Sequence, residues 1–176
     1  MESQRQEKYI RIAAVQYALK YALKPNPAYR YFPLIGDTSG DCANFLSQCL
    51  KAGGVPLNYN QKNPWWYNSK GTSTTKDDTW SLSWTIAHSL YWLLKINNQS
   101  NLSGAKGMEL QTSSDLDLGD LVFFENYKRH IFHSAIVTSF DALGKPLISQ
   151  HSFEAVNIPV SKSWGAVYIH YLKIRL

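Results

Sequence analysis

The hydrophobic period of this sequence changes along the chain, and that change limits the possible folds more than any other feature. In the first part, apolar residues recur at helical spacing and predict helices at residues 9–24, 41–52 and 83–96. In the second part, short apolar runs between turn signals predict strands at residues 121–124, 132–140, 147–152 and 166–174. Helices followed by an antiparallel sheet are typical of an α+β domain, and no linker divides residues 1–176.

Composition and charge narrow the functional classes. Hydrophobic residues make up 44% of the 176 residues and charged residues 18%, as expected for a globular chain with a core of its own. The net charge of +5 favours anionic partners such as wall polymers or membrane surfaces. Lys and Arg are scattered and form no basic stripe, so we expect no nucleic-acid partner.

Neither a membrane span nor a signal peptide is predicted. No apolar run approaches the ~20 residues that a span needs. The first eight residues are polar and charged and lack an apolar signal core. Two localisations fit this pattern: a cytoplasmic protein, or a trimmed domain of an exported, cell-wall-associated one.

The two cysteines, Cys42 and Cys49, lie seven positions apart in one predicted helix. Seven helical residues rise about 10.5 Å, whereas a disulfide needs Cα atoms within about 7 Å. A disulfide between them is therefore excluded, and Cys49 is interpreted as a small core residue. Cys42 stands at the helix start, where unpaired N–H groups favour a thiolate, so it is either a buried structural thiol or an activated nucleophile.

A cysteine nucleophile needs a histidine base and a group that orients the histidine ring. Of the five histidines, His133 begins an alternation that continues with Ala135 and Val137. We expect the strand face that these three residues share to pack on the helices. His151 lies on the next predicted strand and can stand beside His133 in a hairpin. The others are interpreted as structural (His88 and His170) or as a cleft residue in a polar loop (His130). A metal site formed by His130, His133 and His151 is an alternative, but no carboxylate or Cys stands at zinc-type spacing, so no metal is predicted.

A long polar and aromatic stretch, residues 58–79, is predicted to be a functional loop. Trp65 and Trp66 within it, with Trp84 after it, are predicted to form the walls of a cleft. Packing in the core is the alternative for each of these rings.

Four segments, in this order, resemble the NlpC-type cell-wall peptidases and, more closely, the Putative amidase domain family within that papain-like group. They are Gly-Asp-Cys-Ala-Asn-Phe-Leu-Ser-Gln at residues 40–48, Leu-Asp-Leu-Gly-Asp-Leu-Val-Phe-Phe at 116–124, His-Ser-Ala-Ile-Val-Thr at 133–138 and Ser-Gln-His-Ser at 149–152. Ser-Trp-Thr at 83–85 also resembles a segment of the amidase family. The likeness extends from about residue 17 to residue 152.

The resemblance implies a papain-like fold, with N-terminal helices packed on a C-terminal antiparallel sheet. It makes Cys42 the nucleophile, His133 the base and His151 the orienting residue, with Gln150 as the rival because adjacent strand residues face opposite sides. The Cys42 N–H is expected to help bind the oxyanion. A tyrosine upstream of the cysteine lines the site in NlpC-type enzymes, and here Tyr29 and Tyr31 both occupy that region.

The implied reaction is hydrolysis of an amide in a peptide of bacterial peptidoglycan by acyl transfer through the cysteine, without a metal or organic cofactor. Two other functions share these residues. One is an inactive or weakly active wall-binding module that uses the aromatic cleft, and the other is an acyl or peptidyl transferase with the same Cys-His core.

Overall fold

The computed structural model describes residues 8–36, 40–161 and 165–176. Residues 1–7, most of the polar N-terminal segment considered in the sequence, lie outside the described residues. Four α-helices of the described residues precede the main sheet: α1 (Arg11–Tyr21), α2 (Cys42–Ala52), α3 (Leu82–Thr85) and α4 (Ala87–Gln99). The predicted third helix is split because Ile86 adopts an extended backbone between α3 and α4.

The strands are more numerous than predicted. A two-stranded hairpin, β1 (Tyr67–Asn68) and β2 (Thr79–Trp80), lies within the predicted loop at residues 58–79. The main sheet contains six antiparallel strands in the order β3-β8-β4-β5-β6-β7. Their bounds are β3 (Lys106–Leu110), β4 (Leu121–Glu125), β5 (Ile131–Phe140), β6 (Pro146–Gln150), β7 (Ala155–Pro159) and β8 (Tyr168–Arg175). The α+β class is confirmed.

Two apolar clusters lie on opposite faces of the sheet. The larger one joins the helices to the sheet through residues such as Phe45, Leu46 and Ile136. The smaller one includes Ala135 and Val137 and no helical residue. The prediction that the Ala135 and Val137 face packs on the helices is therefore wrong. Both faces of β5 are apolar, so alternation alone does not say which face the helices cover.

The start of the described chain is fastened to the entry turn of β4. Arg11 Nη1 contacts Asp120 Oδ1 at 2.5 Å and donates to the Leu118 carbonyl, while Tyr9 Oη donates to the Gly119 carbonyl. Gly119 has φ +82°, and a Cβ there would lie 3.1 Å from Tyr9 Oη. Glycine meets both demands of this turn, the left-handed backbone and the close approach.

Within residues 8–36, 40–161 and 165–176, no helix is both long enough and apolar enough to cross a bilayer.

Candidate active site

Cys42 is the first residue of α2, and its side chain is buried against β5. The backbone N–H groups of Ala43 and Ser134 approach its sulfur and act to lower the pKa of the thiol. Because strand N–H groups point along the sheet plane, the sulfur lies at the edge of β5, next to the peptide that joins His133 to Ser134. That edge is open because the β5–β6 pairing runs only from Phe140 to Ile136.

Two opposing effects set the protonation state of the Cys42 thiol: its burial and the polar groups near its sulfur. Burial raises the pKa of the thiol, and the approach of the Ser134 hydroxyl and of the two N–H groups lowers the pKa by less. Among the described residues, the Ser134 hydroxyl has no partner in regular hydrogen-bond geometry, and its approach to the sulfur is a contact. The resting site therefore favours the thiol, contrary to the expected thiolate.

His133 stands on the face of β5 opposite Ser134. Its partner in the register is Phe124, whose ring lies 5.3 Å from the imidazole, on the side of the smaller apolar cluster. The β5–β6 register pairs Ile136 with Ser149, and its continuation puts Gln150 on the His133 face. There His133 Nε2 lies 2.9 Å from Gln150 Oε1.

This contact assigns the tautomer of His133. Gln150 Nε2 donates to the Phe153 carbonyl at 3.0 Å, which directs Oε1, an acceptor, toward the imidazole. Nε2 of His133 therefore carries the hydrogen, and Nδ1 is the basic nitrogen of the neutral ring. Burial lowers the pKa of His133 to about 4, with a smaller opposing effect from Gln150, so the ring is neutral and basic at pH 7.

The low pKa of His133 predicts a specific pH dependence of stability. Between pH 6.5 and about 4 the unfolded histidine binds a proton and the folded one does not, so the free energy of unfolding falls as the pH falls. We expect the parent protein to lose about 2 kcal/mol more than His133→Gln between pH 7 and pH 5, measured by urea denaturation. Equal losses in both proteins would contradict the assigned state of His133.

His151 does not lie behind His133, and that prediction is wrong. Its Nδ1 contacts Asp41 Oδ2 at 2.5 Å, and its Nε2 donates to the Tyr21 carbonyl at 2.8 Å. Adjacent strand residues face opposite sides, so when Gln150 reaches His133 the next side chain points toward the helices. The side chain that contacts the His133 ring is that of Gln150, the rival considered from the sequence.

Asp41 is the N-cap residue of α2, but its side chain makes no capping hydrogen bond. Its carboxylate accepts from the Phe32 N–H and from Asn44 Nδ2, in addition to the contact with His151. Asp41 thus joins the incoming loop, the first turn of α2 and the end of β6. The residue before Cys42 is therefore a junction of the fold.

The two candidate tyrosines occupy different environments. Tyr29 stacks on Trp84 within the larger apolar cluster. Tyr31 is 40% exposed, contacts His151 edge-on, and donates from its hydroxyl to Glu154 Oε1 at 2.7 Å. Burial, aided by Glu154, raises the pKa of Tyr31 to about 12, so the hydroxyl keeps its proton. Tyr31 is the one nearer to the start of α2.

Trp65 and Trp84 do not form cleft walls, and their predicted role is wrong. Both are buried in the larger cluster, with Trp65 Nε1 donating to Ser47 and Trp84 Nε1 donating to Asn44. Trp66 is partly exposed and lines a groove of about 540 Å³ together with Trp80 and Trp92. None of Cys42, His133 or Gln150 lines this groove.

The remaining histidines form separate contacts. His88 stacks on His130 with ring centroids 4.5 Å apart, and its Nδ1 accepts from the Ile131 N–H. His170 bridges Glu109 and Glu125 on the outer part of the sheet. Within residues 8–36, 40–161 and 165–176, no three His, Cys, Asp or Glu side chains are grouped to hold a metal ion.

A family profile described as Putative amidase domain matches residues 8–172, which is nearly the whole chain. The chain belongs to the Putative amidase domain family. The matched range includes every residue of the site described above.

Two curated relatives come from Bacillus subtilis (strain 168). Uncharacterized protein YhbB is 33% identical over 150 residues, which are 84% of this chain and 42% of that protein. Uncharacterized protein YjcM is 29% identical over 181 residues, which cover 94% of this chain and 37% of that protein. This amidase-family chain thus spans less than half the length of either relative. No solved structure matched it.

Ser134 was not identified as a site residue from the sequence. It directly follows His133, and the alternation that put His133 on one face of β5 also put Ser134 on the other. A serine followed by Ala135 and Ile136 in an apolar strand was the available signal, since a buried hydroxyl needs a polar neighbour.

Proposed function

We propose that this protein is a papain-like cysteine amidase that hydrolyses an amide bond in a bacterial cell-wall peptide, with Cys42 as nucleophile, His133 as base and Gln150 as the orienting residue. One observation carries the proposal: the Cys42 thiol lies against the backbone N–H of Ser134, the residue after a histidine whose basic nitrogen is defined by Gln150.

The neutral resting pair suits general-base catalysis. His133 Nδ1 takes the thiol proton as the Cys42 sulfur attacks the carbonyl carbon, and backbone N–H groups at the start of α2 bind the oxyanion. The tetrahedral intermediate collapses when the His133 imidazolium gives that proton to the leaving amine. Water, deprotonated by His133, then attacks the thioester, releases a carboxylic acid and restores the thiol. Throughout, Gln150 Oε1 holds Nε2–H, which keeps Nδ1 directed to the reaction.

A cell-wall substrate is supported by the family resemblance of the four motifs and by the net charge of +5, which favours anionic wall polymers. Such a substrate implies action outside the cell membrane. The proposed chemistry is carried out by protein side chains and water alone.

Purified peptidoglycan and its stem peptides provide the decisive assay. We expect the parent protein and Cys49→Ala to release new amine and carboxyl termini, detected by mass spectrometry, and Cys42→Ala to release none. Cys49 is the matched control because it is the second buried thiol of the same helix. Iodoacetamide should label Cys42 before Cys49 in the folded protein.

The proposal fails if Cys42→Ala retains full hydrolysis, or if the label goes first to Cys49. Amine nucleophiles added to the same assay distinguish hydrolysis of the thioester intermediate from transfer of its acyl group. A free acid indicates hydrolysis, and a new amide indicates transfer.

A wall-binding module is the second candidate, supported by the groove that Trp66, Trp80 and Trp92 line away from Cys42. Exposed tryptophan faces are suited to stacking on sugar rings or apolar peptide groups. Binding to insoluble peptidoglycan that is lost in Trp92→Ala, with no product released by the parent after long incubation, would favour this function over the enzyme.

A further inference from the structure

The turn between β6 and β7 is joined to the start of α2 by several polar contacts. Two residues of this turn, Ser152 and Phe153, have left-handed backbones with φ +58° and +81°. Such conformations are costly for non-glycine residues and persist where surrounding contacts impose them. Here the Asp41 N–H donates to Ser152 Oγ at 2.7 Å, and the Phe153 carbonyl accepts from Gln150.

The centre of this junction is the buried pair of Asp41 and His151. Each side chain is 1% exposed. The His151 ring also stacks on Phe45 of α2 with centroids 4.1 Å apart, and it is fixed to the end of α1 by the Tyr21 carbonyl. One imidazole thus joins α1, α2 and the end of β6 at the residue before Cys42.

The acceptors around the pair determine where its hydrogens lie. The Tyr21 carbonyl can only accept, so His151 Nε2 carries a hydrogen. Asp41 Oδ1 accepts from the Phe32 N–H and Asn44 Nδ2, which leaves Oδ2 facing His151 Nδ1. A 2.5 Å contact between these two atoms requires one hydrogen between them, and with it the pair is neutral as a whole.

We propose that His151 is a positioning residue for Cys42, acting through the proton that it shares with Asp41. This inference rests on the proposed function, because it assigns to Cys42 the role of nucleophile. The contact sets the direction in which α2 begins, and therefore where the Cys42 sulfur meets the edge of β5. His151 acts on the nucleophile, whereas Gln150 acts on the base.

Three titratable groups of the described residues surround the pair. Tyr31 contacts the His151 ring edge-on from the loop before α2 and keeps its proton, because its pKa is raised to about 12. Glu154, on the β6–β7 turn, has its pKa lowered mainly by the Tyr31 hydroxyl against the effect of burial, with a further contribution from His151. Cys42 follows Asp41 directly, and burial raises the pKa of its thiol.

His151→Gln and Asp41→Asn separate positioning from simple stabilisation. Gln cannot reach both the Asp41 carboxylate and the Tyr21 carbonyl, so we expect kcat to fall roughly 10- to 100-fold with KM nearly unchanged. Asparagine can keep the link, because its Oδ1 accepts from Phe32 and its Nδ2 donates to a neutral His151 ring. Asp41→Asn should therefore keep most of the activity.

The matched control is His170→Gln, since His170 also lies between two acceptors, Glu109 and Glu125, but on β8. It should leave kcat unchanged. A His151→Gln protein with a lower melting temperature but parental kcat and pH profile would overturn the positioning role. If His151→Gln does not fold, Ser152→Ala tests the same junction, with a smaller loss of kcat expected and parental kcat counting against it.

Two measurements need no catalysis. The first is the rate of Cys42 alkylation by iodoacetamide, which should fall in His151→Gln and not in His170→Gln. The second is nitrogen NMR of the His151 ring, which should show hydrogen associated with both nitrogens at neutral pH, and a bare Nδ1 there would overturn the proposal. If the parent hydrolyses no amide while both measurements agree with expectation, the proposed function fails and the positioning of Cys42 stands.

Discussion

Replacing His133 with alanine is expected to lower kcat by about 10³- to 10⁴-fold while KM changes little. The resting pair is a thiol and a neutral imidazole, because burial raises the pKa of Cys42 and lowers that of His133. Without the imidazole no positioned base removes the thiol proton, and no acid protonates the leaving amine. Steady-state hydrolysis of a cell-wall stem peptide measures this loss.

The pH profile gives the same residue a second signature. Because the pKa of His133 is about 4, the acidic limb of kcat/KM in the parent should lie near pH 4 and well below 6.5. Gln150→Glu keeps an acceptor at Nε2 and adds a negative charge, so we expect it to raise the pKa of His133 and move the limb upward. His170→Ala is the control with unchanged kinetics. A folded His133→Ala protein with parental kcat would remove His133 from the mechanism.

Trp84→Ala is expected to lower the free energy of unfolding by about 3–5 kcal/mol, the largest effect on stability that we predict. The side chain is fully buried and packs against Trp65 and Tyr67. Its Nε1 also donates to Asn44 Oδ1 at 2.8 Å, so removal leaves a cavity and an unpaired buried oxygen in the first turn of α2. Urea denaturation measures the change.

Two controls divide this effect into its parts. Trp84→Phe keeps an aromatic ring but loses the donor, and we expect an intermediate loss. Trp92→Ala removes a ring that is 43% exposed and should cost about 1 kcal/mol or less. Similar losses for Trp84→Ala and Trp92→Ala would contradict the core position of Trp84.

Local patterns predicted the parts of the fold that depend on neighbouring residues in the chain. The helical stripe and the Gly53-Gly54 ending gave the C-terminal bound of α2 correctly. The strands β3 and β7 were missed because Lys106, Glu109 and Asn157 interrupt their apolar pattern. Pairing with β8 and β6 holds these segments in the sheet, and such pairing is a long-range contact.

The sequence by itself determined the α+β class, the place of Cys42 at a helix start and the choice of His133 as the candidate base. Tertiary structure alone decided the partner of that base. A shift of one residue in strand register exchanges the faces of Gln150 and His151, and the sequence alternation is equally regular in either register. The β5–β6 pairing brought Gln150 to His133 and turned His151 toward Asp41. Burial likewise arises only from the packed fold, and it makes the resting Cys42 a thiol where a helix start alone favoured a thiolate.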